Sequence, residues 1–225
     1  MSENLPKNHG ARWTDHDRKK VFELYKLGRT FKEIANQFNR SETSIELQIR
    51  EIFLINAINR RKIKHLKHFT DKRNLPSIRK YGLLSRQSLI DREINYIFND
   101  DKRLDQLSHG VCFSVTNLNS HLLSSYRLRF PSREWIEIFV DANILIKSRC
   151  LYFSSNAAKS AFSDLRKDFQ LGTFKAFEAM FAESIPSSPN ASRAGKESHE
   201  TTCNQAEIII LGNIAKSKIL GWKPL

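Results

Sequence analysis

The sequence predicts an α+β domain carried behind a small three-helix module. Residues 12–58 repeat apolar positions at helical spacing, and short capped turns break them into three segments. From residue 66 onward, short runs rich in Ile, Val and Phe alternate with helical stretches. Hydrophobic residues are 40% of the 225 and charged residues 27%, a globular balance. No run approaches the ~18 apolar residues of a membrane-spanning helix.

In the front module, Thr14 caps a helix that runs through DHDRKKVFELYKL and stops at Gly28. Asp15 and Asp17 stand in its first turn, where the helix dipole favours them. Val21, Phe22, Leu24, Tyr25 and Leu27 supply its apolar face. Thr30 and Glu33 form a capping box for TFKEIANQFN, with Phe31, Ile34, Ala35 and Phe38 inward. Ser41 caps SETSIELQIREIFLINAIN, where Ile45, Ile49, Ile52 and Phe53 recur at helical spacing. Helix, turn, helix, turn, helix is the plan of a helix-turn-helix domain. The stretch also resembles Myb/SANT-like trihelical domains, with Trp13 at the place of their buried tryptophan. That resemblance sends the third helix into the major groove, with Arg40, Ser41, Thr43 and Ser44 at its leading end and Gln48 farther along. A trihelical packing or dimerisation domain fits the same pattern, and Glu42, Glu46 and Glu51 weigh against groove reading. In NRRKIKHLKH, Arg60, Arg61, Lys62, Lys64 and Lys67 either meet phosphates or form a solvated junction. The domain boundary is placed here, giving domains 1–60 and 61–225.

The larger domain opens with a strand at 66–70 and a short helix at 74–82 that ends on a glycine. Strands follow at 109–116 and 134–141, and helical stretches at 156–169 and 171–184. Residues 184–202 are polar and rich in breakers, hence a loop. QAEIIILG then reads as a buried strand, Ile208–Leu211, closed by Gly212. Glu207 stands at its mouth, two places after Gln205. On residue pattern alone Glu207 is either a solvated acid flanking a strand or an acid placed for chemistry.

Composition narrows the function. The net charge is +13, from 37 basic against 24 acidic residues, which favours a polyanionic partner. Cys112, Cys150 and Cys203 lack paired ligand spacing and read as reduced thiols of a cytoplasmic protein. The first residues lack a signal peptide's apolar core. The histidines are scattered, so no metal site is expected, and P-loop, dinucleotide-fold and nucleophile-elbow motifs are absent.

Four blocks then carry a resemblance: KHFTDKRNLPSIRKYGLLSR, NDDKRLDQLSHGVCFSVTNLNSHLLSSYR, EIFVDANILIKSRCLYFSSNAA and TCNQAEIIILGNIAKSKI. Together, in this order, they resemble the DarT family of DNA ADP-ribosyltransferases. The resemblance implies the ADP-ribosyltransferase fold, two small sheets around an NAD cleft. It implies transfer of ADP-ribose from NAD, the co-substrate, to a nucleobase. By position, Glu207 matches the catalytic glutamate, and Arg103 the arginine that grips NAD. His68 matches the histidine that holds the adenosine-side ribose, Asn74 the motif asparagine near the nicotinamide half, and Arg127 a second basic residue. Gln205 completes a Q-x-E pair on the target side. Arg103 also fits an ion pair with Asp101 or Asp105, and Tyr152 and Phe153 fit either ring stacking or the core. CFSVTNLNS replaces the aromatic second strand of typical members, so the loop that holds the target differs, and Ser198–Asn204 becomes a candidate substrate-facing region.

The expected function is therefore a transferase acting on single-stranded nucleic acid or a flipped base, DNA favoured and RNA open. It would serve as a toxin or phage-defence effector, with an antitoxin or macrodomain ADP-ribosylglycohydrolase as the implied partner, and no membrane. A catalytically inactive DNA-binding regulator and a protein-modifying transferase are the alternatives.

Overall fold

The computed structural model describes residues 6–100, 105–162 and 170–225. The chain divides into two compact units, Met1–Ala57 and Ile58–Leu225.

The first unit is built by α1 (Asp15–Lys26), α2 (Phe31–Phe38) and the start of α3 (Glu42–Arg61). All three expected N-caps form, those of α1 and α2 as reciprocal boxes. The Thr14 hydroxyl accepts from Asp17 N–H at 3.1 Å, and the Thr30 hydroxyl from Glu33 N–H at 3.2 Å. The Thr14 side chain and backbone hold the Asp17 carboxyl below its ordinary value, and the Thr30 backbone and side chain do the same for Glu33. The Ser41 hydroxyl accepts from Ser44 N–H at the head of α3. Such caps contribute about 1 kcal/mol each. Gly28, with φ of +80°, takes the chain out of α1. Val21, Ile34, Ala35, Ile45 and Ile49 form the core, and Tyr25 stacks on Phe31 at 5.8 Å. Leu27, expected on the inner face, is 77% exposed, because the helix ends one residue before it.

In the second unit a six-stranded antiparallel sheet runs β4-β5-β2-β1-β3-β6. The strands are β1 (His65–Asp71), β2 (Gly110–Val115), β3 (Trp135–Asp141), β4 (Cys150–Phe153), β5 (Glu207–Leu211) and β6 (Ile219–Pro224). The central join is short. β1 meets β2 only through Leu66↔Val115 and Lys67↔Ser114, whereas β1 and β3 pair along seven positions from His65 to Asp71. Two three-stranded halves thus touch at one end and leave a wedge beyond His68, the arrangement of two small sheets about a cleft that the resemblance implied. Ile208, Ile209 and Ile210 of β5, exposed by 2% or less, lock the middle of one half between β2 and β4. Tyr152 and Phe153 of β4 are core residues, at 1% and 0% exposure.

The helices are α4 (Leu75–Tyr81), α5 (Arg86–Asp91), α6 (Ser120–Arg129), α7 (Ile144–Lys147) and α8 (Phe174–Ala179). Gly82 ends α4 at φ +85°, where a Cβ would lie 2.1 Å from the Ile214 carbonyl oxygen. That glycine lets Leu83 form its bridge to Ile214, tying the α4 turn to the segment after β5. The helix expected at 171–184 shrinks to a 3₁₀ turn and α8, because Phe177, Met180 and Phe181 all turn into the core. Of the helix expected at 156–169, the structure describes only a 3₁₀ turn at Ser160–Phe162, and 163–169 lie outside the described residues. Residues 184–202 contain no helix or strand, as expected. No helix among the described residues is long and apolar enough to cross a membrane.

Candidate active site

The wedge between β1 and β2 opens into a cavity of about 350 Å³, within the usual range for small-molecule sites. Its walls are β1 from Lys67 to Thr70, β2 from Gly110 to Ser114, α4 with the turn after it, the strap Tyr96–Asp100, the inner face of α6, and the mouth of β5.

Glu207 opens β5 opposite Phe153 of β4 and lines the cavity. Its carboxylate accepts the Ala157 N–H at 3.2 Å. Ala157 sits in the turn Phe153-Ser-Ser-Asn-Ala-Ala, whose Asn156 side-chain Oδ1 accepts Ala158 N–H and whose Ser155 is wholly buried against the Ser187 hydroxyl at 2.8 Å. The two sequence motifs nearest the C-terminus therefore act together. One supplies the acid, and the other holds it by a backbone N–H on a pinned turn. The turn closes the third of the four sequence blocks, and from sequence no task was assigned to residues 154–158.

His68 stands where the halves separate. Its Nδ1 lies 2.9 Å from the Cys112 carbonyl oxygen. A carbonyl only accepts, so Nδ1 carries a proton. The side chain thereby takes over a strand-to-strand link that the parting backbones do not make.

Asn74 also lines the cavity, but its amide is committed to the protein. Nδ2 donates to the Thr70 hydroxyl at 2.9 Å and to the Ile97 carbonyl at 2.8 Å, while Oδ1 accepts Ile97 N–H at 2.8 Å. Both amide hydrogens are used, so Asn74 clasps the strap rather than offering a donor to a dinucleotide. The spacing in the sequence could not reveal this, because Ile97 is twenty-three residues away.

Three further residues line the cavity, of which only Asp105 was noticed in the sequence, as a possible ion-pair partner of Arg103. Tyr126 of α6 stacks on Trp135 at 6.0 Å, and burial pushes its phenol up to about 12, aided by the negative charges of Asp100 and Glu207. It remains a protonated donor at neutral pH in the cavity it shares with Glu207. Asp105, 8% exposed, accepts Leu107 N–H and faces the Cys112 thiol. Asn119, 2% exposed, caps α6 by accepting Leu122 N–H at 3.0 Å.

Other expected residues lie elsewhere. Arg103 is outside the described residues. Arg127 is exposed on α6, one residue past Tyr126 and hence about 100° round the helix, outside the cavity lining. Gln205 is half-buried and also outside the lining. The segment Ser198–Asn204 does not line the cavity, and Thr116 and Asn117 after β2 hold His199 and Glu200. Arg61, expected on phosphates, is only 14% exposed. It pairs with Glu178 at 2.9 Å and covers the Phe181 ring at 4.0 Å. Arg60 meets the same carboxylate while remaining 65% exposed. In the first unit, Gln48 is 2% exposed and accepts from Arg18 at 2.9 Å, which removes it from any groove-facing surface. Arg40 covers Trp13 at 4.0 Å and donates to Ala11 O, while Ser41 and Thr43 stay at the open head of α3. Among the described residues, no group of three or more His, Cys, Asp or Glu is placed to hold a metal ion.

Comparison with known proteins completes the picture. Among solved structures, the chain is similar to Thermosipho africanus DarTG in complex with ADP-ribose, at 16% identity and a TM-score of 0.45. That match covers 71% of this chain and 43% of the other, so the chain spans less than half the length of that protein. No curated protein matches. The family model described as DarT, ssDNA thymidine ADP-ribosyltransferase, matches residues 67–221, which is most of the chain and includes β1 from Lys67 on, β2, the cavity and Glu207; the chain belongs to the DarT family.

Proposed function

We propose that this chain transfers ADP-ribose from NAD to thymidine in single-stranded DNA, with Glu207 as its catalytic residue. One observation carries the reading. An acid at the mouth of a buried strand is fixed by a backbone N–H inside the cavity of a DarT-family domain.

The chemistry follows from charge. As the bond between C1″ and nicotinamide breaks, positive charge grows on the ribose, and a fixed carboxylate beside it stabilises that state. Removing one preorganised group of this kind costs about 3–4 kcal/mol of barrier in other enzymes. The ring N–H of thymine must lose its proton as the new C1″–N bond forms, and the Glu207 carboxylate is the acceptor. Nicotinamide leaves with the electron pair of the broken bond. The Nε2 of His68 accepts from a ribose hydroxyl, and Arg103 serves the pyrophosphate as a guanidinium. Asn74 supports the cavity wall. Gln205 assists on the target side from the start of the same strand.

The target must arrive single-stranded, because a closed duplex hides the reactive edge. Arg60 and Arg127 track the backbone, and the first unit contributes to capture through Arg40, Ser41 and Thr43. Acting in the cytoplasm, such an activity is a toxin or phage-defence effector, and its natural partner is an antitoxin that removes ADP-ribose from DNA.

The test supplies labelled NAD with single-stranded DNA, duplex DNA, RNA or a protein lysate, then repeats each with Glu207→Gln. The expected result is label on thymidine-containing single-stranded DNA, reduced at least a hundredfold by the substitution. Label on protein alone, or transfer indifferent to Glu207→Gln, rejects the reading.

A further inference from the structure

The aromatic pair first considered for stacking, Tyr152 and Phe153, is buried in β4 and available to no ligand. The cavity has a different aromatic feature. The strap Tyr96–Asp100 lies between α5 and β2 without helix or strand of its own, yet three side chains from separate elements hold its backbone. Asn74 takes both the N–H and the carbonyl of Ile97 at 2.8 Å. Arg133 donates to the Phe98 carbonyl at 3.1 Å, itself steadied by Asp71 at 3.6 Å and by the Phe130 ring at 3.6 Å. Arg86 donates to the Asp100 carbonyl.

What this mount presents is Phe98. Its side chain lines the cavity and is 45% exposed. Tyr96 stands beside it, ring centroids 5.9 Å apart, and the Arg86 guanidinium lies 5.6 Å from its centre. An exposed phenyl on a backbone pinned at three successive points is poor economy for packing, since it buries little and orders much. It suits a stacking platform. Single-stranded nucleic acids are captured by aromatic faces on which bases stack, with cationic groups beside them for the backbone. The chain carries a net charge of +13, and Arg86 brings cationic charge to this ring.

We propose that Phe98 is a stacking site for a nucleobase of the single-stranded target, at the rim of the cavity that holds Glu207. This rests on the function proposed above and adds the residue that seats the strand. The strap is a mount, with Asn74, Arg86 and Arg133 as positioning residues.

The experiment uses the full chain and a fluorescent thymidine-containing single-stranded oligonucleotide, comparing wild type with Phe98→Ala and Phe98→Trp. Binding is read by anisotropy, and the KM values for oligonucleotide and for NAD are read separately. Loss of one base stack corresponds to roughly five- to 150-fold in affinity. Phe98→Ala should therefore weaken oligonucleotide binding and raise the oligonucleotide KM about tenfold or more, while the KM for NAD moves less than twofold. Phe98→Trp should restore both. An oligonucleotide with abasic spacers should bind wild type and Phe98→Ala alike. Unchanged binding in Phe98→Ala overturns the proposal, as does a rise confined to the KM for NAD, which would assign the ring to the dinucleotide. Failure of wild type to label any nucleic acid would instead reject the proposed function, and the anisotropy comparison would still decide the fate of Phe98.

Discussion

Glu207 and Tyr126 show how environment, more than residue type, makes this cavity chemical. Glu207 is held by a backbone N–H, which an exposed strand-end acid would lack. Tyr126 is kept protonated by burial and by the carboxylates around it. A group whose proton is bound more tightly in the folded state stabilises the fold below its unfolded pKa and loses that contribution as pH rises through its folded pKa. For Tyr126 the window runs from the ordinary value of 10.0 up to about 12. Stability should therefore fall across that window in the wild type. Tyr126→Phe should flatten this part of the profile, and urea midpoints measured from pH 9.5 upward would show it. Absorbance titration should find one tyrosinate fewer among the late-ionising groups of the variant. An unaltered alkaline profile would mean that the phenol is more solvated than its burial against Trp135 implies.

The strap and the turns are held by single side chains acting on backbone. Asn74 makes three hydrogen bonds, two of them to one distant residue. Asn74→Ala leaves the peptide groups of Ile97 without those partners, a loss of about 2 kcal/mol in unfolding free energy. Asn74→Asp keeps the acceptor for Ile97 N–H and loses both donors, so it should also lose stability and bind the oligonucleotide more weakly. Proteolysis should then cut within 92–100 faster than in wild type. If cleavage there is unchanged, the clasp does not hold the strap. Sequence pattern made Asn74 noticeable as a motif residue but pointed to a ligand. Its actual partners are set by how α4 and the strap come together, which local spacing does not encode.

Charge belongs to the protein in its entirety. With 37 basic and 24 acidic residues, the surface attracts polyanions, although some of the cations are engaged internally. Arg61 is bound to Glu178 and Phe181, and Arg133 to Asp71 and the Phe98 carbonyl. The remaining exposed cations should make oligonucleotide capture strongly salt-dependent. Each neutralised phosphate on a single strand contributes a slope of about −0.7 in log K against log salt, so four contacts cost roughly fiftyfold between 50 and 200 mM. Titration of binding against salt measures the slope directly. A flat response would show that stacking alone captures the strand.

The front helices, the central strands β1, β2, β3 and β5, and helix α4 were legible in the linear chain because their signals are local. Thr14, Thr30 and Ser41 cap helices by bonding N–H groups three residues on, and the Ile208–Leu211 run makes a strand wherever it finds partners. The ordered motifs also pointed to the family and to Glu207. Only the tertiary structure decided which of the marked residues share a cavity. It brought His68 to the place where β1 and β2 separate and Ala157 to the Glu207 carboxylate, while burying Gln48, Tyr152 and Phe153 and tying Arg61 to Glu178. It also exposed Phe98 on a strap with no secondary-structure signal at all. The physical reason is range. Caps and periodicity act within one or two turns of chain, whereas a site is set by bonds such as Ala157 to Glu207, fifty residues apart, that exist only after β4 and β5 have paired.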